Sequence, residues 1–430
     1  MRLPRRRKRH SHPPLKRLWT LLGPGLVTGA ADDDPGGIAT YSQAGAQFGL
    51  SLGWVMLLTW PLMAAIQEIS ARIGRVTGQG IAGNLRDHYP RLLLYFIVGL
   101  LLVANIINLG ADLGAMADAA RLLIAGPRGL YVIALAVGCA ALQIFCSYDR
   151  YVHILKWLTF SLFAYVATVL VIDVPWLEVL HHLFIPQIVW QQDYLVVIVA
   201  VLGTTISPYL FFWQASEEAE DERTDPGASP LKEVPDAAHR EMRRIEYDTY
   251  VGMALSNLIA LCIIITTAVT LHVHGITNVD TSEQAANALR PIAGNFAFAV
   301  FACGIVGTGL LAIPVLAGSA AYAVAEGLGW PAGLGMKLHE AKGFYALIVI
   351  GTLAGIAFDF VKIDPIRALF WTAVINGVVA VPLMVVMMVM TMQKRVMGQF
   401  TLPRPLWAMG WLSTAAMTFA VVAMFVTWQA

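Results

Sequence analysis

The chain of 430 residues is 57% hydrophobic and 13% charged, about half the charged fraction usual in soluble domains. This excludes an ordinary soluble globular domain and reads as a polytopic membrane protein, and the net charge of +1 hides a sharp asymmetry along the chain. Apolar runs long enough to cross about 30 Å of hydrocarbon fall at residues 19–46, 51–72, 92–120, 129–147, 153–173, 194–216, 249–273, 296–325, 343–359, 366–391 and 406–428. An all-α integral membrane protein with eleven transmembrane helices is predicted.

Residues 1–18 form a basic N-terminus, with eight Lys and Arg before position 18. If this segment is cytoplasmic, 24 of the 29 Lys and Arg lie on the cytoplasmic side and 5 outside. The reverse orientation would violate the positive-inside bias. An extracytoplasmic C-terminus and residence in the plasma (cell inner) membrane follow. A cleaved signal peptide is a competing reading of residues 1–31, but cleavage would leave an even number of spans and spoil the charge segregation.

The first span is interrupted at Asp34-Pro35-Gly36-Gly37, within DDDPGGIATYSQAG (32–45). The sixth is interrupted at Thr204-Thr205-Ile206-Ser207-Pro208. Proline removes an amide donor, clashes with the preceding turn and biases the residue before it away from the α region. Glycines adopt unusual dihedrals at little cost. Backbone unpaired at membrane depth is tolerated only where it is buried in protein or lines a polar cavity, so the two breaks are expected to share one cavity.

The two repeats start five spans apart, an odd number, so the sixth span crosses opposite to the first. Residues 19–173 (spans one to five) and 194–391 (spans six to ten, with a cytoplasmic loop at about 217–248) therefore read as an inverted five-plus-five repeat. Span eleven, 406–428, is appended. Discontinuous helices at the midplane hold substrate and ions in secondary transporters of this kind, and an intramembrane carboxylate is a functional candidate. Asp34, immediately before Pro35, has the best access to the cavity, and its carbonyl is expected to lie outside the helical ladder. Asp32 and Asp33 read as capping groups or as partners of another helix.

Further along the chain, the acidic cluster Glu217, Glu218, Glu220, Asp221 and Glu222 reads as a solvated helix end in a partly disordered loop. The eighth span, GIVGTGLLAIPVLAGSAAYAVAEGL, is rich in small residues that let helices approach closely. Cys139, Cys146, Cys262 and Cys303 form no CxxC pair and read as small buried hydrophobes. Asn105, Asn108, Gln143 and Asn257 read as interhelical hydrogen-bonding groups, and the methionines of MVVMMVMTM (384–392) as gap fillers.

The sequence GPGLVTGAADDDPGGIATYSQAGAQFG resembles the first helix of the natural-resistance-associated macrophage proteins (Nramp), whose motif there is Asp-Pro-Gly-Asn. GTTISPYLFFWQAS resembles that family's second signature, Ala-x-x-Met-Pro-His. The resemblance covers most of the chain and implies a divalent-metal transporter on the leucine-transporter-type fold. Asp34 matches the motif aspartate, whereas Gly37 stands for the asparagine, Thr204 for the alanine, Ser207 for the methionine and Tyr209 for the histidine. Thioether is a soft ligand that suits transition metals, while carboxylate, carbonyl, hydroxyl and water suit Mg²⁺.

These departures resemble the Nramp-related magnesium transporters. They imply a metal site of Asp34, Gly37, Thr204 and Ser207, enlarged enough for a partly hydrated Mg²⁺, with Mn²⁺ also accepted as a substrate. In span three the resemblance places an Asp-x-x-Glu pair at Asp112-Leu113-Gly114-Ala115, so the glutamate is lost. Tyr209 replaces a histidine that would titrate near physiological pH. Asp112 and Tyr209 are therefore candidates for the transport path in a carrier uncoupled from protons. Asp112 and Asp118 could instead pair with Arg121. Asn376 is a candidate gate residue in span ten.

The expected partners are the divalent ion and the lipid bilayer, for a monomer with no cofactor and no nucleic acid. A proton-coupled Mn²⁺/Fe²⁺ transporter of the same family is one alternative. A sodium-coupled organic-solute symporter is another, disfavoured because Asp34 would repel a substrate carboxylate. An enzyme is not expected, since no Ser/His pair or HExxH lies within the spans. A receptor without flux is separable only by uptake measurements.

Overall fold

In the computed structural model, residues 24–145, 162–224, 228–359 and 364–428 are described. The basic segment 1–18, the start of the fifth span and Cys146 lie outside them. The described residues form α1 (Pro24–Asp32), α2 (Pro35–Phe48), α3 (Gly53–Thr77), α4 (Ile81–His88), α5 (Arg91–Leu123), α6 (Arg128–Phe145) and α7 (Phe163–Val171). These are followed by α8 (Gln192–Thr205), α9 (Pro208–Thr224), α10 (Ala238–Thr270), α11 (Ala297–Leu328), α12 (Lys342–Asp359), α13 (Pro365–Thr391) and α14 (Arg404–Trp428), with shorter helical turns between.

Eight helical segments among the described residues are long and apolar enough to cross a membrane. The difference from eleven has identifiable sources. The segment Pro35–Thr77 counts once although α2 and α3 meet within it, α12 is a shorter apolar helix, and α7 is described over only nine residues.

Both interruptions are present. Asp34 is the N-cap of α2, in extended conformation, and Pro35 opens that helix. Proline is at home at a first helical position, where its missing N–H would have had no partner. Gly36 and Gly37 are thus helical. The carbonyl of Asp34 accepts from Ile38 N at 3.1 Å, so it lies inside the ladder of α2 and not outside it as expected. In the second break Ile206 leaves the helical region and Pro208 opens α9.

The first half of the sixth span, α8, packs on α2, and its second half, α9, packs on α1. The two broken helices therefore run antiparallel and cross at their breaks. Other packing is reciprocal in the same sense: α3 lies against α9 and α10 against α1, while α12 lies against α5 and α11 against α6. This is the pattern of an inverted repeat.

Small residues set the closest approaches. A Cβ on Gly29 of α1 would fall 2.4 Å from the Gly252 carbonyl of α10, and one on Gly203 of α8 would fall 2.0 Å from the Ala373 carbonyl of α13. Gly203→Ala must push α8 and α13 apart. Overpacking of this kind costs about 1–3 kcal/mol, so the variant should unfold at lower temperature in detergent; an unchanged midpoint would mean the helices do not approach this closely.

The described residues of the segment 217–248 are mostly helical, and most of its acidic cluster is withdrawn from solvent, with Asp221 exposed. Glu217, Glu218 and Glu222 are buried. Glu218 bonds Arg244, Glu217 accepts from Tyr322 Oη at 3.2 Å, and Glu220 accepts from Tyr322 and from the Gly335 amide at 2.6 Å. Carboxylates at this depth need partners, and the sequence pattern alone does not reveal that α10 and α11 supply them. Cys139 and Cys262 are buried, but Cys303 faces outward. Met384, Met387, Met388 and Met390 fill the core.

Candidate metal site

Asp34 lies where the two breaks cross and is 3% exposed. Its Oδ1 accepts from the Gly37 amide at 2.6 Å, the N-cap bond that holds the first turn of α2. Its Oδ2 accepts from Tyr209 Oη at 3.0 Å and lies 3.5 Å from Asn108 Nδ2. Tyr209 also reaches the Ala31 carbonyl, at 3.2 Å, near the end of α1. One phenol from α9 thus bridges both halves of the first broken helix.

Asp112 of α5 is fully buried, and neither of its carboxylate oxygens has a hydrogen-bond partner among the described residues. It follows Asn108 by about one turn of α5, and Asn108 Nδ2 lies 3.5 Å from Asp34, so the two carboxylates are neighbours. It does not pair with Arg121, which instead meets Asp118 at 3.5 Å, with Arg128 reaching Asp118 at 3.1 Å. The Ser207 hydroxyl turns back onto α8, donating toward the Gly203 and Thr204 carbonyls at 2.9 and 2.7 Å. Its proton is engaged while its lone pairs remain free to coordinate. Thr204 is buried in the last turn of α8. Among the hydrogen bonds of the described residues, neither Thr204 nor Ser207 reaches Asp34.

Asn376 is buried on α13, beside Gly377, which packs against Gly203. It makes no contact with Asp34 among the hydrogen bonds of the described residues. Asp32 and Asp33 turn to Ser256 of α10, at 2.7 and 3.2 Å. Asn105 bonds Ser319 at 2.8 Å and Asn257 the Met56 carbonyl at 2.9 Å, as interhelical links.

Sequence reasoning passed over Asn108 as a neighbour of Asp34. A signal was available, because Asn108 and Asp112 are four residues apart and share one face of α5. Tyr209 was read as the loss of a histidine and as a transport-path candidate, without the direct bond that its phenol donates to the carboxylate.

Cavities open on both ends of the bundle. One of about 370 Å³ lies between the ends of α2, α8 and α13 and reaches Ala39, roughly 7 Å along the helix from Asp34 at 1.5 Å per residue. The other, about 550 Å³, lies beyond the C-terminal ends of α3, α9 and α11. Along α9, between Tyr209 and the Glu220 that lines this cavity, Ser216 bonds Glu326 at 2.9 Å, Glu217 meets Tyr322 and Glu218 meets Arg244.

A buried carboxylate where two antiparallel broken helices cross, between vestibules at opposite ends of an all-helical membrane bundle, defines a transporter of the inverted-repeat class. The family described as natural resistance-associated macrophage protein-like matches residues 25–427, and the chain belongs to that family.

Its relatives include the divalent metal cation transporter MntH of Klebsiella pneumoniae (strain 342), 26% identical over 406 residues, 92% of this chain and 91% of the relative. MntH of Yersinia pestis (strain Pestoides F) is 27% identical over 314 residues, 70% of this chain and 71% of that one. Among solved structures, the Eremococcus coleocola manganese transporter in complex with an aromatic bis-isothiourea substituted compound superposes with a TM-score of 0.73 at 17% identity, covering 97% of this chain and 88% of that one. MhsT in complex with L-phenylalanine superposes with a TM-score of 0.53 at 13% identity, covering 94% and 97%. At these identities the structures speak for the fold.

Proposed function

We propose that the protein imports a divalent metal ion by alternating access, with partly hydrated Mg²⁺ as its main substrate and Mn²⁺ also accepted, and that it does so without proton coupling. The observation that carries this reading is the pairing of Asp34 with Asp112: two buried carboxylates with no cationic side chain on either among the described residues. Together they match the charge of a divalent cation. The relatives named divalent metal cation transporters support the same class of substrate.

The case for Mg²⁺ rests on the donors. Oxygens of Asp34 and Tyr209 meet at the crossing point, Asp112 adds a carboxylate from α5, and Ser207 stands where the family pattern has a thioether. Hard oxygens suit Mg²⁺, which dehydrates reluctantly and keeps several waters. Mn²⁺ accepts oxygen too, whereas Ca²⁺ wants six to eight oxygens at longer distances. The competing reading, a proton-coupled Mn²⁺/Fe²⁺ carrier, is favoured by the name of the manganese transporter that shares the fold.

A selectivity panel in proteoliposomes with internal Mg²⁺ and Mn²⁺ reporters decides between the two. Mg²⁺ uptake in the absence of other divalents supports the proposal, and Mn²⁺ uptake with no Mg²⁺ uptake overturns it. Ser207→Met combined with Gly37→Asn should move preference toward Mn²⁺ or Cd²⁺. A Cβ on Gly37 would lie 3.1 Å from the Asp32 carbonyl and 3.3 Å from the Tyr41 ring, so the pair of changes also narrows the site. If the double variant binds Cd²⁺ no better than the parent by calorimetry, ligand softness does not set selectivity here.

A further inference from the structure

A second pair of carboxylates lies beside the Asp34 site without being used by it. Asp32 and Asp33 are 0% and 2% exposed, and they share one donor, the Ser256 hydroxyl, at 2.7 and 3.2 Å. One hydroxyl proton cannot serve both carboxylates. The nearer Asp32 takes it, which leaves Asp33 without a donor among the described residues. Oδ1 of Asp32 has no hydrogen-bond partner among the described residues. Burial at membrane depth makes uncompensated charge costly, and no cationic side chain among the described residues reaches either group.

The protein does provide space next to this charge. Asp33 and Ser256 line a cavity of about 50 Å³ between α1, α7 and α10, with Gly29 and Ala30 on one wall and Leu162 and Phe163 on another. Gly29 and Ala30 belong to the last turn of α1, where carbonyls have no following turn to bond and the helix end carries partial negative charge. Asp33, Ser256 and the last turn of α1 therefore line one small volume whose remaining walls are apolar. The close approach of Gly29 to Gly252 brings α1 near enough to α10 for one ion to touch both.

We propose that this pocket binds a dehydrated monovalent cation, sodium, held by Asp33, Ser256 and the carbonyl end of α1. Half-helix C-termini and unwound carbonyls suit such an ion. Mg²⁺ is a poor occupant, because it retains waters and demands octahedral oxygen, which Leu162 and Phe163 do not supply. The site is separate from Asp34 and does not rest on which metal Asp34 carries.

The test is equilibrium binding of ²²Na⁺ to the purified full-length protein. Wild type should show one saturable site per chain, competed by unlabelled Na⁺ and not by equal concentrations of K⁺ or Mg²⁺. Asp33→Asn should abolish binding, and Asp34→Asn should retain it. Ser256→Ala should weaken it by roughly tenfold, the loss expected for one polar contact to a charged group. Absence of saturable ²²Na⁺ binding in monodisperse wild type overturns the proposal, as does equal competition by K⁺ or binding lost in Asp34→Asn alone. Should Asp33→Asn fail to fold, Ser256→Ala decides, and unchanged affinity in that variant overturns the assignment.

Discussion

Asp34→Asn should reduce Mg²⁺ uptake into proteoliposomes to background while leaving the protein folded. The separation of the two effects follows from the geometry. Oδ1 of Asp34 caps α2 through the Gly37 amide and Oδ2 faces Tyr209 and Asn108. Asparagine keeps a carbonyl oxygen and is as good an N-cap as aspartate, so the helix start survives. The negative charge does not survive. Removing one partner of a buried charge pair costs about 3–5 kcal/mol, which is two to more than three decades at about 1.4 kcal/mol per decade. Uptake at the wild-type level by a monodisperse Asp34→Asn protein would rule out Asp34 as the main ligand.

Mg²⁺ entry should acidify the vesicle lumen not at all. Proton symport needs groups that accept and release protons along the path, and the two that the family pattern would supply are replaced by Ala115 and Tyr209. Asp112 remains, but among the described residues its oxygens have no hydrogen-bond partner through which to pass a proton on. Coupling is also unnecessary for accumulation. A divalent ion moving inward gains about 4.6 kcal/mol per 100 mV of inside-negative potential, twice the roughly 2.3 kcal/mol of a single charge. That is more than three decades of concentration ratio at about 1.4 kcal/mol per decade. In liposomes holding a pH-sensitive dye, with Mg²⁺ driven in by a valinomycin-clamped potential, metal uptake without acidification is the expected result. Acidification that scales with Mg²⁺ flux and disappears in Asp112→Asn would establish symport instead.

Membrane residence, the two helix breaks and their opposite directions were legible in the sequence by itself. Each depends on chemistry local to the chain: apolar runs of sufficient length, a proline that cannot donate, glycines without Cβ, and repeats that start an odd number of spans apart. Even the conformation at Asp34 is local, since an aspartate before proline is a ready N-cap, although its carbonyl turned out to belong to the helix it starts.

The surroundings of Asp34 were decided only by tertiary structure. Tyr209 and Asn108 reach it from 175 and 74 positions away, and no periodicity in the chain specifies such contacts. The same holds for the acidic residues after Ser216. Their spacing on α9 reads as a solvated face, and only the packing of α10 and α11 brings Arg244 and Tyr322 to them. A carboxylate becomes buried when another segment covers it and supplies a donor, and that condition belongs to the fold and not to any stretch of sequence.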